Sequence, residues 1–302
     1  MIEIPGLGAL PPLGVGTWQW GDRLFWRYGQ GYQESDLRQV YQESLKAGIR
    51  LFDTAEIYGQ GQSERLLGRF LMEGEVRPRV VSKFFPWPWR LSRASLLAAL
   101  RGSLNRLNVQ QLDLYLLHWP APPVPLTTWA EALAEAFERG LTRAVGVSNC
   151  NLAQLERVAR VLSRHRVPLS VNQVEYNLLV RDPEHNGLRS AMRAEGIVLM
   201  AYSPLAMGWL SGKYTPENPP PLLRTRKYRK LLPRIPQLLA GLNQVAEAHQ
   251  ATPAQVALAW CIAQGTLPIP GAKTAAQAQS NARALGLQLT PQEVERLSAL
   301  SA

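Results

Sequence analysis

Residues 51–68 read LFDTAEIYGQGQSERLLG, and the order of groups in this stretch decides the fold. A short apolar run closes on an acid, Asp53. A phenol follows at Tyr58, and a glycine-flanked loop leads into a helix opened by Ser63 and Glu64. Two later apolar runs close in the same manner, RVVSK on Lys83 and LDLYLLH on His118. Three successive strands that each end on a titratable residue imply a repeated strand–helix unit with polar groups gathered at one end.

Working outward, apolar runs suited to strands recur at 13–16, 51–53, 80–83, 112–118, 144–148, 170–175, 197–202 and 266–270. Amphipathic, helix-like segments separate them at 34–47, 63–72, 92–106, 127–139, 151–163, 187–195, 253–263 and 274–284. Ser or Thr opens many of these segments and Gly closes several, as capping chemistry requires. Eight strand–helix units in 302 residues predict a closed (β/α)8 barrel, α/β in class. No composition shift divides the chain, so residues 1–302 are expected to form one domain. IEIPGLGALPP at the start is expected to make a hairpin across the barrel bottom. A proline-rich basic stretch, 214–236, reads as a long loop. Extra helices are expected at 237–249 and from Pro291 onward.

The composition, 46% hydrophobic and 19% charged, is that of an ordinary globular protein. No apolar run approaches a membrane span and the N-terminus has no signal-peptide pattern, so a soluble cytoplasmic protein without membrane association is expected. Cys150 and Cys261 are too few for a disulfide framework and are read as free buried thiols. Of the +10 net charge, six residues (Arg224, Arg226, Lys227, Arg229, Lys230, Arg234) lie within 224–234, and the excess without them is +4. A local basic loop suits a phosphate-bearing small ligand, and no nucleic-acid-binding motif is present.

In such a barrel, polar side chains at the carboxyl ends of strands form the active site. Asp53, Lys83 and His118 hold those positions, with Tyr58 beside them. A buried lysine needs a carboxylate, and a phenol beside that ammonium has its anion favoured. At about 4 Å and an effective dielectric near 20 the attraction is roughly 4 kcal/mol, enough to lower a tyrosine pKa by about two or three units before burial opposes it. Tyr58 then serves as general acid, and His118, a neutral imidazole, orients a substrate oxygen. The set contains no nucleophile, and one His with one Asp makes no metal cage, so no metal is expected. An acid with an oxygen-orienting donor suits reduction of a carbonyl by an external hydride carrier. That carrier must bind without a GxGxxG fingerprint, through YSPLAMGWLSGKY at 202–214 and PIPGAKTAAQAQSN at 268–281. Tyr202 is placed to stack on a nicotinamide ring, and Lys213, Lys273 and Arg224 or Arg226 supply positive charge.

With these motifs in order, the chain resembles the aldo-keto reductase superfamily over essentially its whole length, from GVGTWQWG through FDTAEIYGQGQSERLLG, VVSK, LDLYLLHWP, AVGVSN, NQVEYNLL and YSPLAMGWLSGKY to IPGAK and Asn281. The resemblance implies NADPH-dependent reduction of small-molecule aldehydes and ketones, reversible toward alcohol oxidation. Asp53, Tyr58, Lys83 and His118 are then the catalytic tetrad. Thr17, Trp18 and Asp53 take cofactor positions, and Ser148, Asn149 and Gln173 hold the carboxamide. Tyr202 stacks, Ser203, Pro204, Leu205, Gly208 and Lys213 take the pyrophosphate, and Arg224, Gly271, Lys273, Gln277, Ser280 and Asn281 take the adenosine-phosphate end. Many members carry lysine where this chain has Gly271, arginine at Gln277 and an acid at Ser280. The GxK form, with SGKY, is more similar to the branch of pyridoxal-reductase-like enzymes and potassium-channel β subunits, and leaves Lys273 to read the 2′-phosphate. The substrate pocket is expected to be walled by Trp18 or Trp20, by Trp87 and Trp89, and by Trp119. Two rival readings are a cofactor-sensing regulatory subunit with little turnover, and a nucleic-acid binder using 224–234.

Overall fold

A computed structural model of the chain describes every residue except Glu75, Pro216 and Ala302, together with all side chains but those of Leu223 and Arg224. An antiparallel hairpin, β1 (Ile2–Ile4) and β2 (Gly8–Leu10), precedes the main sheet. The sheet then runs β3 (Val15–Gly16), β4 (Leu51–Asp53), β5 (Arg79–Phe84), β6 (Leu112–Leu117), β7 (Thr142–Ser148), β8 (Leu169–Glu175), β9 (Val198–Tyr202) and β10 (Leu267–Pro268). All neighbours pair in parallel and in sequence order.

Between the strands lie α1 (Glu34–Lys46), α2 (Gln62–Glu73), α3 (Arg93–Leu107), α4 (Leu126–Glu138), α5 (Leu152–Arg164), α6 (Asp182–His185), α7 (Leu188–Ala194), α8 (Leu222–Tyr228), α9 (Ile235–Ala248) and α10 (Pro253–Ala263). After β10 come α11 (Ala275–Arg283) and α12 (Pro291–Leu300). The sheet closes on itself. Gly14 N donates to Pro268 O and Gly16 N to Pro270 O, each at 3.0 Å, and Gly16 bridges Gly271 in parallel. Glycine at 16 is a steric requirement of the seam, because a Cβ there would stand 2.8 Å from Ile269 O. The (β/α)8 barrel, the hairpin and the added C-terminal helices are as the sequence leads one to expect.

Alternation along the strands sorts the side chains into two cores. Leu51, Val81, Leu114, Leu116, Ala144, Val171, Val198, Met200, Leu267 and Ile269 point inward and meet Ile4, Leu7 and Leu10 of the hairpin, which plugs the amino-terminal end. The intervening residues, among them Phe52, Val80, Phe84, Tyr115 and Val147, face the helix layer and pack against it. The hydrophobic effect is satisfied on both faces of every strand, as a parallel sheet demands.

One expected loop is helical. The stretch 214–236 contains α8 and a 3₁₀ segment over Arg229–Arg234. Pro221 sits at the N-cap of α8, so the run of prolines starts this helix instead of preventing it. Lys227 and Tyr228 then tie it to the barrel through Glu175, whose Oε1 accepts from Lys227 Nζ at 2.9 Å and from Tyr228 OH at 2.6 Å.

Candidate active site

Strand alternation also places the site. Two residues past the inward Leu51 stands Asp53, two past Val81 stands Lys83, and two past Leu116 stands His118. Ser148, Gln173 and Tyr202 follow the same rule on β7, β8 and β9. All six are therefore inward-facing groups at the carboxyl mouth of the barrel, where a cavity of about 710 Å³ opens. Asp53, Tyr58, His118, Ser148, Asn149, Gln173 and Tyr202 line it.

At its floor Lys83, fully buried, donates from Nζ to Asp53 Oδ2 at 2.6 Å, to Thr54 O at 2.7 Å and toward Tyr58 OH at 3.4 Å. Gln173 Nε2 holds the other oxygen of Asp53 at 2.8 Å. The Tyr58 ring stands edge-on to the His118 ring, with centroids 5.8 Å apart. His118 O accepts from Asn149 Nδ2 at 3.2 Å. Asn149 Oδ1 accepts from Tyr202 OH at 3.0 Å, so the ends of β6, β7 and β9 are cross-linked. Ser148 Oγ donates to Gln173 O at 2.8 Å.

Burial dominates the electrostatics. It pushes the Asp53 carboxyl up, against the pull of Lys83 and of the Gln173 hydrogen bond, and pushes the Lys83 ammonium down, against the pull of Asp53. Burial, then Lys83, holds His118 well below its ordinary value, so the imidazole is neutral at physiological pH. For Tyr58 the outcome reverses the expectation drawn from the lysine alone. Burial, followed by the negative charge of Asp53, raises the phenol well above its ordinary value. The nearby Tyr202 acts in the same direction, so the phenol is held protonated.

The cavity lining combines polar groups with aromatic rings. Ser203, Pro204, Leu205, Gly208 and Lys213 line it after β9, and Gly271, Lys273, Gln277, Ser280 and Asn281 after β10. Lys273 Nζ donates to the Trp26 carbonyl at 3.0 Å and lies 4.4 Å from the Tyr32 ring centroid. A Cβ on Gly271 would stand 1.9 Å from the Gln19 amide nitrogen, so the Gln19 side chain fills the space of a residue-271 side chain. Trp18 and Trp119 also line the cavity.

Several expectations need correction. Trp20 is fully buried away from the cavity, its ring against Phe52 and Phe70 and its Nε1 donating to Ala272 O at 3.3 Å. Thr17 also faces outward. Its hydroxyl donates to Asp53 O at 2.9 Å and meets Ser63 Oγ at 2.7 Å, so it braces the acid without lining the cavity. Trp87 and Trp89 stack on each other outside the cavity lining. The Arg224 side chain lies outside the described residues. Residues that sequence reasoning missed, Gln19, Trp26, Ile57, Met207, Lys227 and Ala254, also line the cavity. Lys227 carried a signal, its place in the basic run. Met207 falls inside the 202–214 stretch already assigned to the cofactor, Ala254 reaches the cavity from the first turn of α10, and Gln19, Trp26 and Ile57 reach it through loop paths that have no period.

Among the described residues no group of three His, Cys, Asp or Glu side chains is placed to hold a metal, and no helix is long and apolar enough to cross a membrane. A (β/α)8 barrel whose mouth holds an Asp–Lys–Tyr cluster beside a neutral histidine defines a class of oxidoreductase. The comparisons with known proteins agree: the sequence model of the aldo/keto reductase family matches residues 12–302, and the chain belongs to that family. It is 41% identical over 299 residues to the chloroplastic pyridoxal reductase of Arabidopsis thaliana, spanning 94% of this chain and 81% of that one. It is 33% identical to the methylglyoxal reductase YeaE of Escherichia coli over 98% of this chain and 93% of that one. A solved aldo/keto reductase from Klebsiella pneumoniae, in complex with NADP and acetate, superposes with a TM-score of 0.79. It is 28% identical, over 99% of this chain and 94% of that one.

Proposed function

We propose that this chain is a single-domain, NADPH-dependent reductase of small aldehydes and ketones, with Tyr58 as proton donor. The observation that carries the reading is the Lys83 ammonium, held between Asp53 and the Tyr58 phenol beside a neutral His118.

The cavity fits a nicotinamide dinucleotide. It is of a volume suited to a sizeable ligand and lined by both polar and apolar groups. After β10 the helix α11 opens with Thr274 at its N-cap, a setting that favours phosphate. Lys213 and Lys273 bring positive charge to the cavity. Ser148, Asn149 and Gln173 would hold the carboxamide and Tyr202 would stack on the ring. The segments 203–213 and 271–281 would hold the phosphates and adenosine, Lys273 reading the 2′-phosphate. When bound, the cofactor supplies the hydride.

The protein's own groups do the rest. The neutral His118 donates a hydrogen bond to the carbonyl oxygen and fixes its direction. Burial keeps the Tyr58 phenol protonated until negative charge develops on that oxygen, and the phenol then gives it the proton. Lys83, 3.4 Å away, stabilises the phenolate left behind, and Asp53 keeps Lys83 charged. For alcohol oxidation the same groups act in reverse, with Tyr58 accepting the proton.

The test is the fall in NADPH absorbance on adding pyridoxal, methylglyoxal and an aromatic aldehyde, repeated with NADH and with Lys273→Ala. Turnover of at least one carbonyl, with Lys273→Ala weakening NADPH much more than NADH, is expected. NADPH that binds but is never consumed across a broad carbonyl panel would overturn the reading and favour a cofactor-sensing subunit.

A further inference from the structure

The reductase reading leaves one feature unused. Trp89 is 71% exposed and Trp87 37%, and the two rings stack with centroids 5.0 Å apart and planes within 6°. An aromatic ring left in water contributes little to the core, so stability alone does not call for tryptophan at 89.

The pair is not a loose surface feature. It continues inward as a chain of rings: Trp87 against Phe85 at 4.5 Å, and Phe85 edge-on to His118 at 5.7 Å. Aromatic contacts thus lead step by step from the imidazole at the cavity floor to the open surface. The loop that carries them is pinned. The Arg90 guanidinium binds both oxygens of Glu56, with Nη2 to Oε2 at 3.0 Å, and also donates to Phe85 O at 3.0 Å. Glu56 Oε1 accepts from Phe85 N at 2.7 Å, and Arg90 N donates to Trp87 O at 2.9 Å. Pro86 and Pro88 stiffen the remaining backbone. Glu56 belongs to the loop that carries Tyr58, so platform and proton donor are fixed to one support. Trp119, next to His118 in sequence, lines the cavity and is 44% exposed.

Rigid, pre-paid exposure of flat apolar surface is what a binding platform requires, because little conformational entropy remains to be lost on contact. Arg90 is committed to Glu56 and offers the platform's ligand no charge. We propose that Trp87 and Trp89 form an outer subsite that takes the distal ring of extended planar, uncharged carbonyl compounds, those with two or more conjugated or linked rings, while the carbonyl sits at His118 and Tyr58. The proposal rests on the reductase reading for the inner end of the substrate and on the ring ladder for the outer end.

The experiment compares benzaldehyde with biphenyl-4-carbaldehyde in the wild type and in Trp89→Ser, a variant at an exposed position, its folding checked by its thermal midpoint. In the wild type the two-ring aldehyde is expected to have the higher kcat/KM. In Trp89→Ser the biphenyl-to-benzaldehyde ratio is expected to fall roughly threefold to tenfold, through KM and not kcat. An unchanged ratio, or no wild-type preference for the longer aldehyde, would overturn the outer subsite while leaving the reductase reading intact. If neither aldehyde is reduced, calorimetric binding of biphenyl-4-carbaldehyde to the NADPH-loaded protein decides the matter separately. Weaker binding to Trp89→Ser supports the platform, and equal or absent binding overturns it.

Discussion

Tyr58 shows how far residue-level reasoning carries and where it stops. The sequence displays a phenol, an ammonium and a carboxylate that belong together. The sign of the tyrosine shift depends on burial and on the distance from each charge, which no spacing reveals. His118 follows the simpler rule, because burial and the nearby Lys83 both favour the neutral ring. Its imidazole therefore has no proton to lose across about pH 6 to 8, and kcat/KM should show no inflection attributable to it there. The linkage has a definite sign. The unfolded chain's histidine takes up a proton near the ordinary 6.5 while the folded one resists, so stability falls as the pH drops below that value. Urea midpoints at pH 7.5 and about 5.5 should differ less in His118→Gln than in the wild type. An equal difference in both proteins would remove His118 as a source of the acid sensitivity. Trp20 was illegible for a related reason. Trp18 and Trp20 stand two apart in one irregular loop, and only packing against Phe52 and Phe70 decides that Trp20 belongs to the core.

At the scale of elements the strands β4 to β9 were legible because each combines an apolar run with an inward-facing polar residue at its carboxyl end. The period of two that puts Leu51 and Val81 in the interior carries Asp53 and Lys83 to the mouth. Even Thr17, read as a cofactor contact from resemblance, obeys it, since the residue after the inward Gly16 must point outward. The stretch after β9 was not legible, because prolines at 219–221 and 233 mark both loops and helix starts. The seam between β3 and β10 was hidden as well, since the two strands lie at opposite ends of the sequence. The seam makes a prediction of its own. At Gly16 an added methyl meets the Ile269 carbonyl, backbone against backbone, so Gly16→Ala should cost about 1–3 kcal/mol in denaturant unfolding. A variant as stable as the wild type would mean that the barrel closes more loosely than the Gly16–Gly271 bridge implies.

For the whole molecule, the hairpin plugs one end of the barrel with Ile4, Leu7 and Leu10, and the chemistry gathers at the other. Stability and reactivity are thus kept at opposite ends of one closed sheet, and the loops over the mouth are free to set specificity. The central claim joins these scales: strand alternation delivers Asp53, Lys83 and His118 to one cavity floor so that Tyr58 can give a proton to a carbonyl oxygen. The most direct test is Tyr58→Phe, assayed for turnover with the best carbonyl substrate and, in parallel, for NADPH affinity by fluorescence titration. The account predicts a fall in kcat of about a hundredfold or more with NADPH affinity within a few-fold of the parent. Turnover within a few-fold of the parent would contradict it.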